Sequence, residues 1–545
     1  MGDEVYFINA SKCLSDAHMR AFFAALHGNS FGLWHPPAYA HLLNAVSRVF
    51  GMSALTPRLV SISTFFVSLT LIYLLSLQFF KGAKNAGAIA FLASLLYSVN
   101  PFSVRGSLLV DIDGTILNAS FLILMYFLAL WPKENLPLSR QMLYGLLCAL
   151  VLWTKFSSPF IFFASMLIYL LFMRDFKKML SFAVMFAIGC IIFLLTWYVY
   201  CLVYKSDFLV IFRHSGGAIA AFVRGIGTHQ GRLSLARNIW APAIWISPSF
   251  ALLVVLSLRK IFKEKTAARP LMTIAQFAFY GLCVAVGYIF VGGVTHSFPR
   301  YHYAMMPVFV ITVAYLLVSE ITFDKALIKN IGLAILILVL YHLFFVGDPL
   351  YTVNYAWKED IILHGGRTVH QVLTKELRQI ALILLTIPLA HIFFALRKFS
   401  KPFLLALFST ALAFNLALSL VQMKADYNTL YCYGAQGVEE AAKFIRENTD
   451  IKTPIFSPTE FRILANETLD SYTVSYVYGQ KFQVPEQFIQ VLKENNVQCV
   501  VYGIASYTVD QYERIFNKAS VQDFLANNYI PHDIGSYKIW ILKNK

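Results

Sequence analysis

Charge is what this sequence has least of. Of 545 residues only 14% are Asp, Glu, Lys or Arg, where a soluble domain carries about 25%. A chain this poor in charge does not read as an ordinary water-soluble globule. Acidic residues are scarcer than basic ones (29 against 45), which leaves a formal net charge of +16. Nucleic-acid binding is one reason for such a balance, but most of the Lys and Arg lie in short loops between apolar runs. That placement is a topology signal rather than a binding surface and argues against a nucleic-acid partner. Cysteine is sparse: the seven (13, 148, 190, 201, 283, 432 and 499) show neither CxxC nor Cys/His metal spacing. Several sit inside apolar runs as packing residues. Cys432 and Cys499 share the C-terminal segment and could pair. No GxGxxG, P-loop, HExxH or GxSxG pattern stands in a supporting context. Internal repeats and low-complexity segments are missing, and the first fifty residues are neither a span nor a signal peptide.

What the chain has instead is apolar bulk: 58% hydrophobic residues and 16% aromatics, with 48 Phe and 29 Tyr. It comes in runs about as long as the ~20 residues that cross the hydrocarbon core. Inside lipid the backbone must satisfy its own polar groups, so such runs read as helices. Twelve spans are expected, at about 57–80, 87–101, 115–131, 142–154, 158–173, 179–201, 239–258, 271–293, 303–318, 329–346, 379–396 and 402–421. The 142–173 stretch reads either as two short spans broken at Thr154–Pro159 or as one long kinked unit. Basic residues cluster in alternate loops, from Lys81 and Lys84 through Arg174, Lys177 and Lys178 to Arg397, Lys398 and Lys401. The positive-inside rule puts these in the cytoplasm and the remaining loops, with both ends of the chain, outside. The expected architecture is an α-helical polytopic membrane protein in three parts. Residues 1–56 form a first outer loop with amphipathic, juxtamembrane helices, and residues 57–424 the transmembrane helical domain. Residues 425–545 form a small extracytoplasmic α/β domain, with a helix at 437–448 and strands near 454–457, 499–502 and 537–542.

Ionisable residues near span ends on the outer face are the candidate chemistry, because such groups are costly at membrane depth. Asp3–Glu4, followed by His35–Pro36–Pro37, can supply a general base or hold a cation, or can be solvated groups beside a chain end. Asp111–Ile112–Asp113–Gly114 precedes the third span. Two Asp at i, i+2 can bind a metal or position a hydroxyl, while Asp113 can instead cap the following helix. Lys155, Arg213, His214, Arg224, His229, Arg300 and His302 form a cationic set suited to a phosphate or diphosphate leaving group. Each of them taken singly also suits snorkelling to lipid headgroups.

These residues resemble the polytopic glycosyltransferases of the C superfamily, which include the lipid A aminoarabinose transferases and the protein O-mannosyltransferases. The resemblance rests on Gly2-Asp3-Glu4-Val5-Tyr6, His35-Pro36-Pro37-Ala38-Tyr39, Pro57-Arg58-Leu59, Asp111-Ile112-Asp113-Gly114, Leu152-Trp153-Thr154-Lys155 and Pro299-Arg300-Tyr301 with Pro307 downstream. These motifs cover roughly the first 310 residues in order. The resemblance implies transfer of a sugar from a polyprenyl-phosphate carrier to a lipid, glycan or protein acceptor on the extracytoplasmic face of the plasma membrane. It maps the acid of the first outer loop to Asp3, with Glu4 beside it, and the second acid to Asp113 or Asp111. Arg300, followed by Tyr301, is expected to meet the carrier phosphate, with Lys155 a second partner. His35 stands where some members have Lys, so phosphate contact and a structural cap on the Pro-Pro turn are both open. Members of the superfamily begin with a helix before the acidic loop; restoring one here makes thirteen. These motifs point to no certain cofactor; a divalent metal is possible, and the acids can serve with or without one.

A lipid-linked sugar flippase or other transporter is the rival reading, since it too places charges at membrane depth. It predicts inverted repeats with Gly/Pro-broken helices in matching halves, and no such symmetry is visible. A non-enzymatic scaffold for polysaccharide assembly is a second rival.

Overall fold

The computed structural model describes residues 7–8, 10–11, 14, 36–51, 55–108, 110–130, 138–156, 158–213, 248–263, 273–291, 304–321, 329, 332–333, 336, 401–432, 438–449, 454–457, 484–503, 515–535 and 537–543. The helices among them run in chain order as α1 Ala38–Phe50, α2 Leu55–Phe79, α3 Ala86–Ser98, α4 Pro101–Leu108, a π-turn at Asp113–Leu117, α5 Asn118–Leu130, α6 Leu138–Thr154, α7 Ser158–Phe172 and α8 Phe176–Tyr204. They continue as α9 Pro248–Lys263, α10 Ile274–Val291, α11 Met306–Glu320 and α12 Lys401–Cys432. Thr56–Phe79, Asp113–Leu130 and Phe176–Tyr204 are long and apolar enough to cross a membrane, and six shorter apolar helices accompany them.

Helix α8 shows what surrounds this bundle. Phe182, Met185, Gly189, Phe193, Trp197 and Tyr200 recur at helical spacing and are buried. The opposite face should be polar in water, yet it exposes Leu180, Ile191, Leu195, Val199 and Leu202. A helix apolar on its outer face needs lipid there. The chain is accordingly an integral membrane protein. At the bundle centre α11 is buried nearly all round, from Met306 to Val318.

The 142–173 stretch is two helices. Pro159 has no N–H to continue the α6 ladder but is tolerated in the first turn of a new helix, so the chain breaks after Thr154 and restarts as α7 at Ser158. Helix α9 continues to Lys263, past the expected end at 258, because Lys260 and Lys263 in its last turn suit the negative end of the helix dipole. Residues 239–247 lie outside the described residues, as do all of the 379–396 span and most of the 329–346 span.

The C-terminal segment holds α13 Val438–Asn448, β1 Ile455–Phe456, α14 Pro485–Glu494, β2 Cys499–Gly503, α15 Ala519–Asn528, β3 Tyr529–Ile534 and β4 Tyr537–Leu542. The sheet order is β1-β2-β4-β3, with β1 parallel to β2 and the other pairs antiparallel. Alternation along the strands builds a core on each face. Val500 and Trp540 join Phe488 and Leu492 of α14 and Leu525 of α15, while Cys499, Val501 and Ile539 join Ala441 and Ile445 of α13. Cys499 is a buried free thiol in that second layer, and the side chain of Cys432 lies outside the described residues. Strand β3 is the one the sequence reading lacks. It carries Pro531, which a strand tolerates at a sheet edge, and β3 lies at the edge beside β4.

Candidate active site

The π-turn at Asp113–Leu117 is the centre of the site. The Leu117 amide donates to the Ile112 carbonyl at 3.0 Å, five residues back, and such turns recur at functional sites. The turn packs against α2, α4 and α6 and leads into α5. Directly before it, Asp111 is buried at 5% exposure and Asp113 at 6%. The alternative of Asp113 as a helix cap is not what forms. Its carboxylate accepts from Lys155 Nζ at 2.5 Å, with both side chains only 7% exposed. Asp111 takes the local turn role instead: its Oδ1 accepts from the Asp113 amide at 3.5 Å, and its carbonyl accepts from the Thr115 hydroxyl.

Lys155 reaches Asp113 because of the break between α6 and α7. It is the first residue past the end of α6, its amide still bonded to the Val151 carbonyl at 3.1 Å. A cation there is favoured by the unpaired carbonyls of the helix end. Its neighbours are packed against α8. Trp153 lies 6.0 Å from Trp197 and 5.9 Å from Phe193 between ring centroids, and Phe156 lies 5.6 Å from Phe193. Trp153 Nε1 also donates to the Thr196 hydroxyl at 2.8 Å. These contacts fix the backbone on both sides of the ammonium.

Two carboxylates thus lie near one ammonium in a buried space, with Asp113 paired to it. Asp111 lies just outside the span that starts at Asp113. Burial foremost, then the neighbouring Asp113 carboxylate, push Asp111 up to about 7, against the opposing pull of Lys155 and the backbone amides. A carboxyl near 7 can give or take a proton at physiological pH. Among the described residues no three His, Cys, Asp or Glu side chains converge to hold a metal.

The motifs converge although they are far apart in sequence. Phe7 and Ile8, just after Asp3–Glu4, share one hydrophobic cluster with Tyr39, Val60, Val110 and Ile112. Tyr39 ends the His-Pro-Pro-Ala-Tyr motif, Val60 follows Pro57-Arg58-Leu59, and Val110 and Ile112 flank Asp111. The Phe7 and Tyr39 rings meet edge-on at 5.2 Å, and Tyr39 Oη lies 3.5 Å from Ser61 Oγ. Asp111, Asp113 and Lys155 are therefore brought together. Asp3, Glu4, His35, Arg300 and Tyr301 lie outside the described residues. Arg213 is exposed and pairs with Asp207 at 3.0 Å, while the adjacent Phe212 packs on Phe156 at 4.9 Å.

The sequence reading missed a second polar group at the other end of the π-turn. Asn118 Nδ2 donates to Tyr97 Oη at 2.7 Å and to Ser68 Oγ at 3.4 Å. The signal was present: an Asn inside an apolar run, five residues after Asp113, is a polar group that a lipid-embedded helix must satisfy.

Comparison with known proteins finds a family match and a similar fold. Residues 34–198 match the family model of dolichyl-phosphate-mannose-protein mannosyltransferase. That stretch contains the His-Pro-Pro turn, both aspartates, Asn118 and Lys155. The fold is similar to that of ArnT from Cupriavidus metallidurans bound to undecaprenyl phosphate (TM-score 0.56, 12% identity, covering 99% of this chain and 93% of that one). It is likewise similar to the same protein in the apo state (TM-score 0.55, 12% identity, 98% and 92% covered). No curated protein matches the sequence significantly. The chain is thus similar in fold to ArnT and, over residues 34–198, in sequence to the mannosyltransferase family.

Proposed function

We propose that the protein is a membrane glycosyltransferase that moves a sugar from a polyprenyl-phosphate carrier to a lipid, glycan or protein acceptor. The reaction takes place at the extracytoplasmic face of the plasma membrane. The observation that carries this reading is the buried Asp111–Asp113–Lys155 cluster at the start of a membrane span. It lies in the stretch that matches a family of dolichyl-phosphate-sugar transferases. The similar fold of a protein crystallised with undecaprenyl phosphate supports a polyprenyl carrier.

In the reaction the acceptor oxygen bonds to the anomeric carbon as the bond from that carbon to the carrier phosphate breaks. The polyprenyl phosphate leaves with the bonding pair. A phosphate is already a good leaving group, so no general acid is needed. Stabilising its growing charge is the larger task, and Arg300 with Lys155 supplies it electrostatically. Asp3, with Glu4 beside it, takes the proton of an acceptor hydroxyl. Asp113 and Asp111 orient that hydroxyl or a cation. His35, Tyr301 and Arg213 complete the donor site. A single displacement inverts the anomeric centre.

The test is a transfer assay with radiolabelled polyprenyl-phosphate sugars and a membrane extract as acceptor. Asp3→Asn is expected to lose on the order of 10²–10⁴-fold in rate, the usual worth of a general base. Arg300→Ala and Lys155→Ala should also lose transfer. Full activity in both Asp3→Asn and Asp113→Asn, with normal membrane insertion, would overturn the assignment.

A further inference from the structure

The π-turn is strapped at both ends. At its start Asp113 is paired with Lys155 of the α6–α7 break at 2.5 Å. At its end Asn118, the first residue of α5, spends its amide on two other helices: Tyr97 Oη of α3 at 2.7 Å and Ser68 Oγ of α2 at 3.4 Å. Tyr97 is 3% exposed, Ser68 0% and Asn118 2%. All three lie in apolar helices, where a polar side chain without a partner is costly. Of the positions one helical turn away on α2 and α3, Phe65, Leu71, Ile72 and Ala93 are apolar, while the Thr64 and Ser94 hydroxyls bond backbone carbonyls instead. Aromatic packing stiffens the same spot, since the Tyr97 ring stacks on Phe65 at 5.7 Å and 24°.

The two straps differ in what they can do during a reaction. If Lys155 engages the carrier phosphate, its bond to Asp113 is shared or exchanged, and the upper strap loosens at that moment. The lower strap contains neutral groups only, buried between three helices, and gains or loses no ion pair when a charged substrate arrives. We infer that Tyr97, Ser68 and Asn118 are positioning residues: a membrane-buried tether that holds the π-turn, and with it Asp111 and Asp113, in place while Lys155 turns to the donor phosphate. This rests on the glycosyltransferase reading, and its residues act through the acids rather than on the substrate. A misplacement of about 1 Å in such a group can cost on the order of 10²-fold in rate.

The experiment compares wild type with Tyr97→Phe and Asn118→Leu in detergent or nanodiscs, reading hydrogen exchange of the 113–117 amides, kcat, donor KM and the pH profile of kcat. Tyr97→Phe removes one hydroxyl and keeps the ring, so it carries the test if Asn118→Leu fails to insert. Expected are faster exchange confined to 111–118, a kcat lower by about 10- to 100-fold with donor KM nearly unchanged, and a displaced pH profile, because the acids no longer sit in their fixed surroundings. A merely structural role would lower kcat in proportion to the folded fraction and leave the pH profile alone. That result, or unchanged exchange at 113–117, would overturn the inference. Absence of any transfer by wild type would instead overturn the functional reading and the catalytic half of the inference, while the exchange data still decide whether the tether holds the turn.

Discussion

Asp111 sits in surroundings very unlike water. Its carboxyl rises from 3.8 to about 7, chiefly because burial penalises its charge. The proton is bound more tightly in the folded chain than in the unfolded one. Between pH 4 and 7 the folded state therefore holds more proton than the unfolded, and stability falls as pH rises through that window. Melting temperature should drop from pH 5 to pH 7.5 in wild type. In Asp111→Asn that part of the drop should vanish, so parallel curves for the two proteins would contradict the assignment. Lys155 is the counterpart. Removing one partner of a buried ion pair costs about 3–5 kcal/mol, because the other charge is left uncompensated. Lys155→Met is expected to show that loss in a thermal-shift assay, and Lys155→Met with Asp113→Leu should regain most of it. A double variant no more stable than the single would mean that the pair is not coupled as the 2.5 Å contact indicates. The sequence made both aspartates and the lysine visible as ionisable groups at span ends. It left the division of labour open. Only the fold shows that Asp113 meets Lys155 and that Asp111, not Asp113, takes the local turn contact.

At the scale of elements, the site depends on how closely α6 and α8 approach. A Cβ on Gly145 would lie 2.3 Å from Ile188 Cγ2, and one on Gly189 would lie 2.6 Å from Cys148 Cβ and 3.0 Å from the Gly145 carbonyl oxygen. The two helices meet backbone to backbone, as small residues allow in membranes. That contact sets the height at which α6 ends and so where Lys155 stands. Gly189→Val is expected to cost about 1–3 kcal/mol through overpacking, seen as a lower melting temperature, and to reduce transfer more than a surface change such as Leu195→Val. Equal behaviour of the two variants would show that the approach is not needed. The break after α6 was legible, because Pro159 and two serines interrupt the apolar run. The π-turn was not. Its extra residue leaves no mark in the residue pattern, and Asp113, Asn118 and their partners hold it from three sides. Strand β3 was illegible for the opposite reason: Pro531, His532 and Asp533 make a strand look like a loop, and only pairing with β4 reveals it.

For the whole molecule, composition and hydropathy already required a membrane, and the exposed apolar face of α8 agrees. What no local pattern could give is convergence. Motifs near residues 7, 39, 60, 111 and 155 come together because α1 lies across α2 and α6 while the π-turn rests on α2, α4 and α6. The α/β segment with helices on both faces of its sheet is separate in character, and its strands were largely readable from alternation. Bond breaking separates a transferase from a carrier flippase sharing the same charged residues. The direct measurement uses sealed proteoliposomes containing the protein, a radiolabelled polyprenyl-phosphate sugar and a membrane acceptor extract, with chromatography of the lipid phase. A transferase releases sugarless polyprenyl phosphate in step with labelled acceptor, and Asp113→Asn slows both together. Intact carrier appearing across the bilayer, with its sugar still attached and no labelled acceptor, would contradict the account.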